Sequence, residues 1–211
     1  MNILAIDTST QTLTVAVLRD FAEISSVSLF NQKTHSERLM TAIDDLLAAS
    51  QLDIRDIDLF AAANGPGSYT GIRIGLAAVK MFAQVTDKPV VTVNTLLALC
   101  YNLAHRQGEV CALLDARGGN VYCGCYSFKD GVDTLIEPVF VNAGELKKIL
   151  KDKNITPVFV GDMIEGFDNY ADGDLCLPSA VSLGKYAFLR GDRLKYNEVY
   201  AEYVNKNWGE N

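Results

Sequence analysis

Two short apolar runs that each end in an acid, Ile3-Leu4-Ala5-Ile6-Asp7 and Val110-Cys111-Ala112-Leu113-Leu114-Asp115, constrain this chain more than any other feature. They lie half of the 211-residue chain apart. Each is followed by a turn and a run that reads as its hairpin partner, Thr12 to Leu18 across the polar Thr8 to Gln11 and Val121 to Phe128 across a glycine turn. Further strands are expected at Glu23 to Leu29, Leu59 to Ala63 and Val90 to Val93 in the first half, and at Thr134 to Val141 and Pro157 to Gly161 in the second. Thr34 and Glu37 form a capping box that opens a helix running to about Ser50. Other helices are expected over Ile72 to Val85, Thr95 to His105, Gly144 to Lys151 and Ala180 to Arg190, and the polar, aromatic tail from Asn197 reads as a strand or docking segment. The repeated order predicts a duplicated α/β chain with lobes at 1–106 and 107–211.

A chain of this length that is 49% hydrophobic can bury a full core. Nineteen basic against 26 acidic residues give a net charge of −7, which argues against unaided nucleic-acid binding, because neutralising phosphates needs clustered Lys and Arg. No apolar run approaches the ~20 residues that cross a bilayer, and the first residues lack the basic stretch of a secretory signal. The five cysteines have no C-x-x-C spacing, and Cys123 and Cys125 read as small buried hydrophobes of a reduced, cytosolic protein.

Two helices carry more apolar surface than one sheet face can cover. At about 100° per residue, Ile72, Ile74, Leu76, Val79, Met81, Phe82, Ala83 and Val85 span roughly 220°, leaving Arg73, Ala77, Lys80 and Gln84 on one narrow stripe. Leu39, Met40, Ala42, Ile43, Leu46, Leu47 and Ala49 span roughly 180° of the first helix. Either both are fully buried core helices, or the surplus meets a partner.

The loop Gly65-Pro66-Gly67-Ser68-Tyr69-Thr70-Gly71 joins a strand to a helix, where backbone N–H groups can hold a phosphate. It lacks the Gly-Lys-Ser/Thr of a Walker loop, and the alternative is a tight turn in which Ser68 or Thr70 caps the helix. Asp7 and Asp115 are placed as the acids of an ATP-dependent enzyme would be, but Asp7-Thr8-Ser9-Thr10 has no glycine, and Val160-Gly161-Asp162 has one where an adenosine loop wants two or more. Arg117 is either a turn residue or a charge directed at the same site. His35 and His105 have no companion at metal-ligand spacing, so no metal site is expected.

The runs Ile3 to Thr10, His35-Ser36-Glu37-x-Leu39, Gly65 to Gly75, Asp115-Ala116-Arg117 and Val121-Tyr122 resemble the bacterial TsaB (YeaZ) family over roughly the first 125 residues. The resemblance implies an actin-like (ASKHA) fold, a duplicated ribonuclease-H-like α/β fold in two lobes. It also implies a degenerate nucleotide site at Asp7, Thr8, Asp115 and Arg117, and a non-catalytic role with no cofactor. The implied partners are TsaD, bound through the first two helices and the glycine loop, and the ATPase TsaE. Together they support threonylcarbamoyl transfer to the adenosine beside the anticodon, tRNA being met only through the complex. Self-association without TsaD is implied as well. The residues expected at the interface are His35, Leu39, Met40, Ile43, Leu47, Tyr69, Thr70, Ile72, Arg73, Leu76 and Lys80. TsaD holds a metal with His-x-x-x-His where Thr95 and Leu99 stand here, a pair that cannot replace two imidazoles. The family's Tyr-Leu-Arg tail is replaced by Tyr203-Val204-Asn205, so a role for that arginine does not carry over.

Overall fold

The computed structural model describes residues 1–30, 35–106, 108–129 and 131–204. Strands β1 (Asn2–Asp7), β2 (Thr12–Arg19) and β3 (Ala22–Phe30) form an antiparallel meander, and β4 (Leu59–Ala63) and β5 (Val90–Val93) add in parallel beside β1, giving the order β3-β2-β1-β4-β5. β1 and β4 are continuous apolar runs because helices cover both faces of the sheet. β3 instead places Ser25, Ser26 and Ser28 on the open edge, where polar side chains discourage pairing with another chain.

Helices α1 (His35–Ala49) and α2 (Tyr69–Thr86) lie on one face, packing Leu39, Ile43, Leu47, Ile72, Leu76 and Val79 against Leu4, Ile6, Leu13, Val15 and Phe60. Thr34 of the expected capping box lies outside the described residues. Ser68 caps α2, its Oγ accepting from Gly71 N at 3.2 Å. On the opposite face sit α3 (Thr95–Cys100) and α5 (Ala180–Leu189), whose Ala180, Leu183 and Ala187 meet Ile3, Ala5, Ala16 and Leu18.

The second sheet repeats the plan. β6 (Glu109–Asp115), β7 (Asn120–Ser127) and β8 (Asp133–Asn142) form a meander, and β9 (Val158–Gly161) adds in parallel beside β6, in the order β8-β7-β6-β9. Helix α4 (Ala143–Asp152) covers its outer face through Leu146 and Leu150, and α3 covers its inner face through Leu96 and Leu99. The fold is therefore the duplicated ribonuclease-H-like plan of actin-like proteins, with an acid at the end of β1 and of β6.

Three details bear on the sequence reading. The division at 106/107 separates the two sheets but not the layers of helices, since α5 returns to the first sheet and Leu194 bridges Val90. The described part of the tail, expected as a strand or a docking segment, docks: after a short 3-10 turn, Tyr196–Glu198, Val199 inserts into the first core and Glu202 N donates to Asn64 O at 2.8 Å. Finally, Cys111 and Cys125 are not free hydrophobes: they face each other across β6 and β7 and form a disulfide. Spacing along one strand drew attention to Cys123 and Cys125, whereas the partner is set by cross-strand register. Cys123 stays free, and burial pushes its thiol up to about 12.

Candidate functional site

Two regions gather the residues singled out in the sequence. The first is the cleft between the lobes, about 890 Å³, walled by Ser9 and Thr10 after β1, Gly67 to Gly71 at the start of α2, and Asp115, Arg117 and Asp162 from the second lobe. Asp7 and Thr8 lie behind this wall. The Asp7 carboxylate is buried and accepts from Ser9 N at 2.8 Å and from Ser9 Oγ at 2.6 Å. Burial outweighs those bonds and raises its pKa above the ordinary carboxyl range. Thr8 Oγ1 donates to Gly71 O at 2.7 Å.

The glycine loop is seated on this turn. Ser68 N donates to Ser9 O at 2.7 Å, and a Cβ at Gly67 or Gly71 would strike the backbone oxygen of Ser9 or Thr8. The glycines therefore serve close approach of strand and helix. Of the four residues expected at a nucleotide site, only Asp115 and Arg117 line the cleft, with Asp115 Oδ1 accepting from Arg117 N at 2.8 Å.

Asp162, which the sequence reading treated only as the end of a glycine-poor loop, sits beside Asp115, and its Oδ2 accepts from Asp115 N at 2.8 Å. Burial and the Asp115 charge together raise its pKa, although the Asp115 N–H opposes them. The signal for this pairing was the parallel register of β6 and β9, which no local motif encodes. His35 closes one side of the cleft, with Nε2 2.8 Å from Thr10 O.

The second region is the outer surface of α1 and α2. Leu39, Ile43, Leu47, Ile72 and Leu76, expected at a partner interface, are buried in the chain's own core. A glutamate at Ile43 or Leu76 thus tests folding and not docking. Periodicity could not separate the inward from the outward part of such a wide apolar arc. What remains outside is Met40 on α1, 39% exposed, together with Met81 at 45% and Val85 at 73% on α2. With half-buried Ile74, which also packs against the core, exposed Met81 and Val85 recur at helical spacing as an apolar stripe.

Arg73 and Lys80 run beside that stripe, held by the loop and the tail. The Arg73 guanidinium lies 3.8 Å from the Tyr69 ring centre, and its Nε donates to Tyr203 Oη at 3.1 Å. The Tyr69 and Tyr203 rings stack at 5.6 Å. Lys80 Nζ donates to Val199 O at 3.2 Å and lies 5.5 Å from the Tyr200 ring. Thr70 is exposed at the junction of stripe and cleft.

Thr95 and Leu99 are fully buried, and Thr95 N donates to Gly65 O at 2.8 Å. A hydroxyl and an alkyl chain do not fit a divalent transition metal. Among the described residues the one grouping of three metal-capable side chains is Cys111, Cys123 and Cys125, two of which are spent in the disulfide. No helix of the described residues is long and apolar enough to cross a membrane.

A model of the family described as TsaD, tRNA N6-adenosine threonylcarbamoyltransferase, matches residues 29–164. The tRNA threonylcarbamoyladenosine biosynthesis protein TsaB of Bacillus subtilis is 37% identical over 162 residues, covering 76% of this chain and 71% of that protein. TsaB of Haemophilus influenzae and of Escherichia coli are 36% and 34% identical, and this chain spans about half of their length, 52% and 55%. Among solved structures, YeaZ from Pseudomonas aeruginosa shares the fold with a TM-score of 0.77 at 23% identity, over 96% of this chain and 100% of that one.

Proposed function

The chain belongs to the TsaB (YeaZ) family of tRNA threonylcarbamoyladenosine biosynthesis proteins, and on that premise we propose that it is a non-catalytic scaffold that binds TsaD through the outer surface of α1 and α2. With TsaE, the pair supports threonylcarbamoyl transfer to the adenosine beside the anticodon. Without TsaD this chain self-associates through the same surface in this proposal, tRNA is met only through the complex, and the setting is the cytoplasm.

The observation that carries this reading is the apolar stripe of half-buried Ile74 with exposed Met81 and Val85 on α2, together with exposed Met40 on α1, although Phe30, Met163 and Leu189 elsewhere on the chain are exposed as well. An exposed methionine and valine in line along a helix are what a second helix buries. The cleft argues in the same direction, because Asp7 is withdrawn behind Ser9 and the glycine loop packs on the turn after β1.

A second reading, an ATP-dependent enzyme, is favoured by one observation: Asp115 and Asp162 lie together on the wall of a cleft large enough for a nucleotide. Modification assays on tRNA with this chain alone, TsaD alone and both, in the presence of TsaE, separate the readings. The scaffold requires product only when both are present. Turnover by this chain alone, or micromolar Mg-ATP binding to it by calorimetry with hydrolysis, supports the enzyme instead.

A further inference from the structure

Among the described residues Arg73 and Lys80 are cations without an acid. Among the described residues the ion pairs involve the N-terminus, Lys88 and Arg190, and neither Arg73 nor Lys80 meets a carboxylate, although the chain carries seven more acids than bases. Both are nevertheless held in place. Arg73 is clamped between the Tyr69 ring and the Tyr203 hydroxyl, which takes its Nε. Among the described residues its two terminal nitrogens take no partner, and a guanidinium can offer such nitrogens to a carboxylate. Lys80 is half-buried, tied by one donor to Val199 O and leaned on Tyr200, and an ammonium carries two further donors. An exposed arginine whose side-chain entropy is already lost before a partner arrives is the kind of group that anchors an interface.

Position on the helix gives the geometry of what is bound. Arg73 and Lys80 are seven residues apart, two turns or about 10 Å along α2, and lie next to the Ile74, Met81 and Val85 stripe around the helix. A helix laid along that stripe would pass one of its edges over both cations. We infer that this edge of α2 receives a helix of the partner subunit that carries carboxylates seven residues apart, so that the apolar stripe supplies contact area and the two cations select the partner and its register. Two cations on a chain of net charge −7 are too few for a polyanion, which favours an acidic protein helix over RNA. The inference rests on the reading of this face as the TsaD-binding surface.

The test is a titration of the full chain against TsaD at low and at high NaCl, comparing wild type, Arg73→Gln with Lys80→Gln, and Tyr203→Phe, with urea unfolding as a control for fold. We expect wild-type binding to weaken with salt, and the double variant to bind about tenfold or more weakly with most of that salt dependence gone. Tyr203→Phe keeps both charges, so it should lose affinity while retaining the salt dependence. Wild-type affinity in the double variant, or wild-type binding indifferent to salt, overturns the inference and leaves the scaffold intact. Loss confined to binding of a single-stranded RNA oligonucleotide, or confined to self-association of this chain, overturns it too. If wild type does not bind TsaD at all, the scaffold reading fails and this inference falls with it.

Discussion

Asp7 and Val85 are opposite cases of one side chain deciding a reading. The buried Asp7 carboxyl binds its proton more tightly in the folded chain than in the unfolded one, where its pKa is near 3.8. It therefore favours folding most below that value, and the contribution is lost as pH rises through the higher folded-state pKa. Asp7→Asn keeps an acceptor for Ser9 and removes the buried charge. The variant should be at least as stable as wild type near pH 7, with the difference closing as pH falls toward about 4, as urea unfolding at several pH values will show. A loss of stability near pH 7 would instead mean that the charge itself is needed. Val85 is open to solvent, so Val85→Asp should change stability by less than about 0.5 kcal/mol. Ile43→Glu, which drives a charge into the core between α1 and the sheet, should cost more than about 4 kcal/mol. Both are read from the same urea titrations.

At the level of elements, hydropathy marks the strands well because β1, β4 and β6 are covered on both faces and must be apolar throughout. It marks the start of α2 less well. The expected helix begins at Ile72, while the observed one begins at Tyr69, because Ser68 supplies the cap and the exposed first turn carries no apolar signal. The glycine loop was legible as a strand-to-helix junction. Its use was not, because only the fold shows that Gly71 and Gly75 leave room for Thr8. Gly71→Ala would press a methyl group on the Thr8 carbonyl and should destabilise the chain by about 2 kcal/mol or more, measured by thermal or urea unfolding. The disulfide was likewise invisible to spacing, since its cysteines are 14 positions apart and meet only through the β6–β7 register. In the chain-entropy account a loop of that size contributes about 3 kcal/mol. Reduction, or Cys111→Ala with Cys125→Ala, should lower the urea midpoint correspondingly. An unchanged midpoint with and without reductant would show that the bond adds nothing to stability.

For the whole molecule, duplication was legible in the two apolar strands ending in acids, and the interweaving of the halves was not. α5 and the tail return to the first lobe through contacts with Ala5, Leu18, Val90 and Asn64, pairings between residues far apart in the chain that no local period encodes. That return matters for function, because the tail supplies Tyr200 and Tyr203 to the cations of α2 and so joins the last residues described to the proposed docking face. The cleft between the lobes persists as a space, but the first lobe's acid has been drawn out of its wall. If the outer surface of α1 and α2 serves to join TsaD, light scattering on size-fractionated mixtures of this chain with TsaD should show a mixed species of defined molar mass with wild type, and its loss with Val85→Asp. Separate elution of the two wild-type proteins, or a complex undisturbed by Val85→Asp and by Met81→Asp, would contradict it.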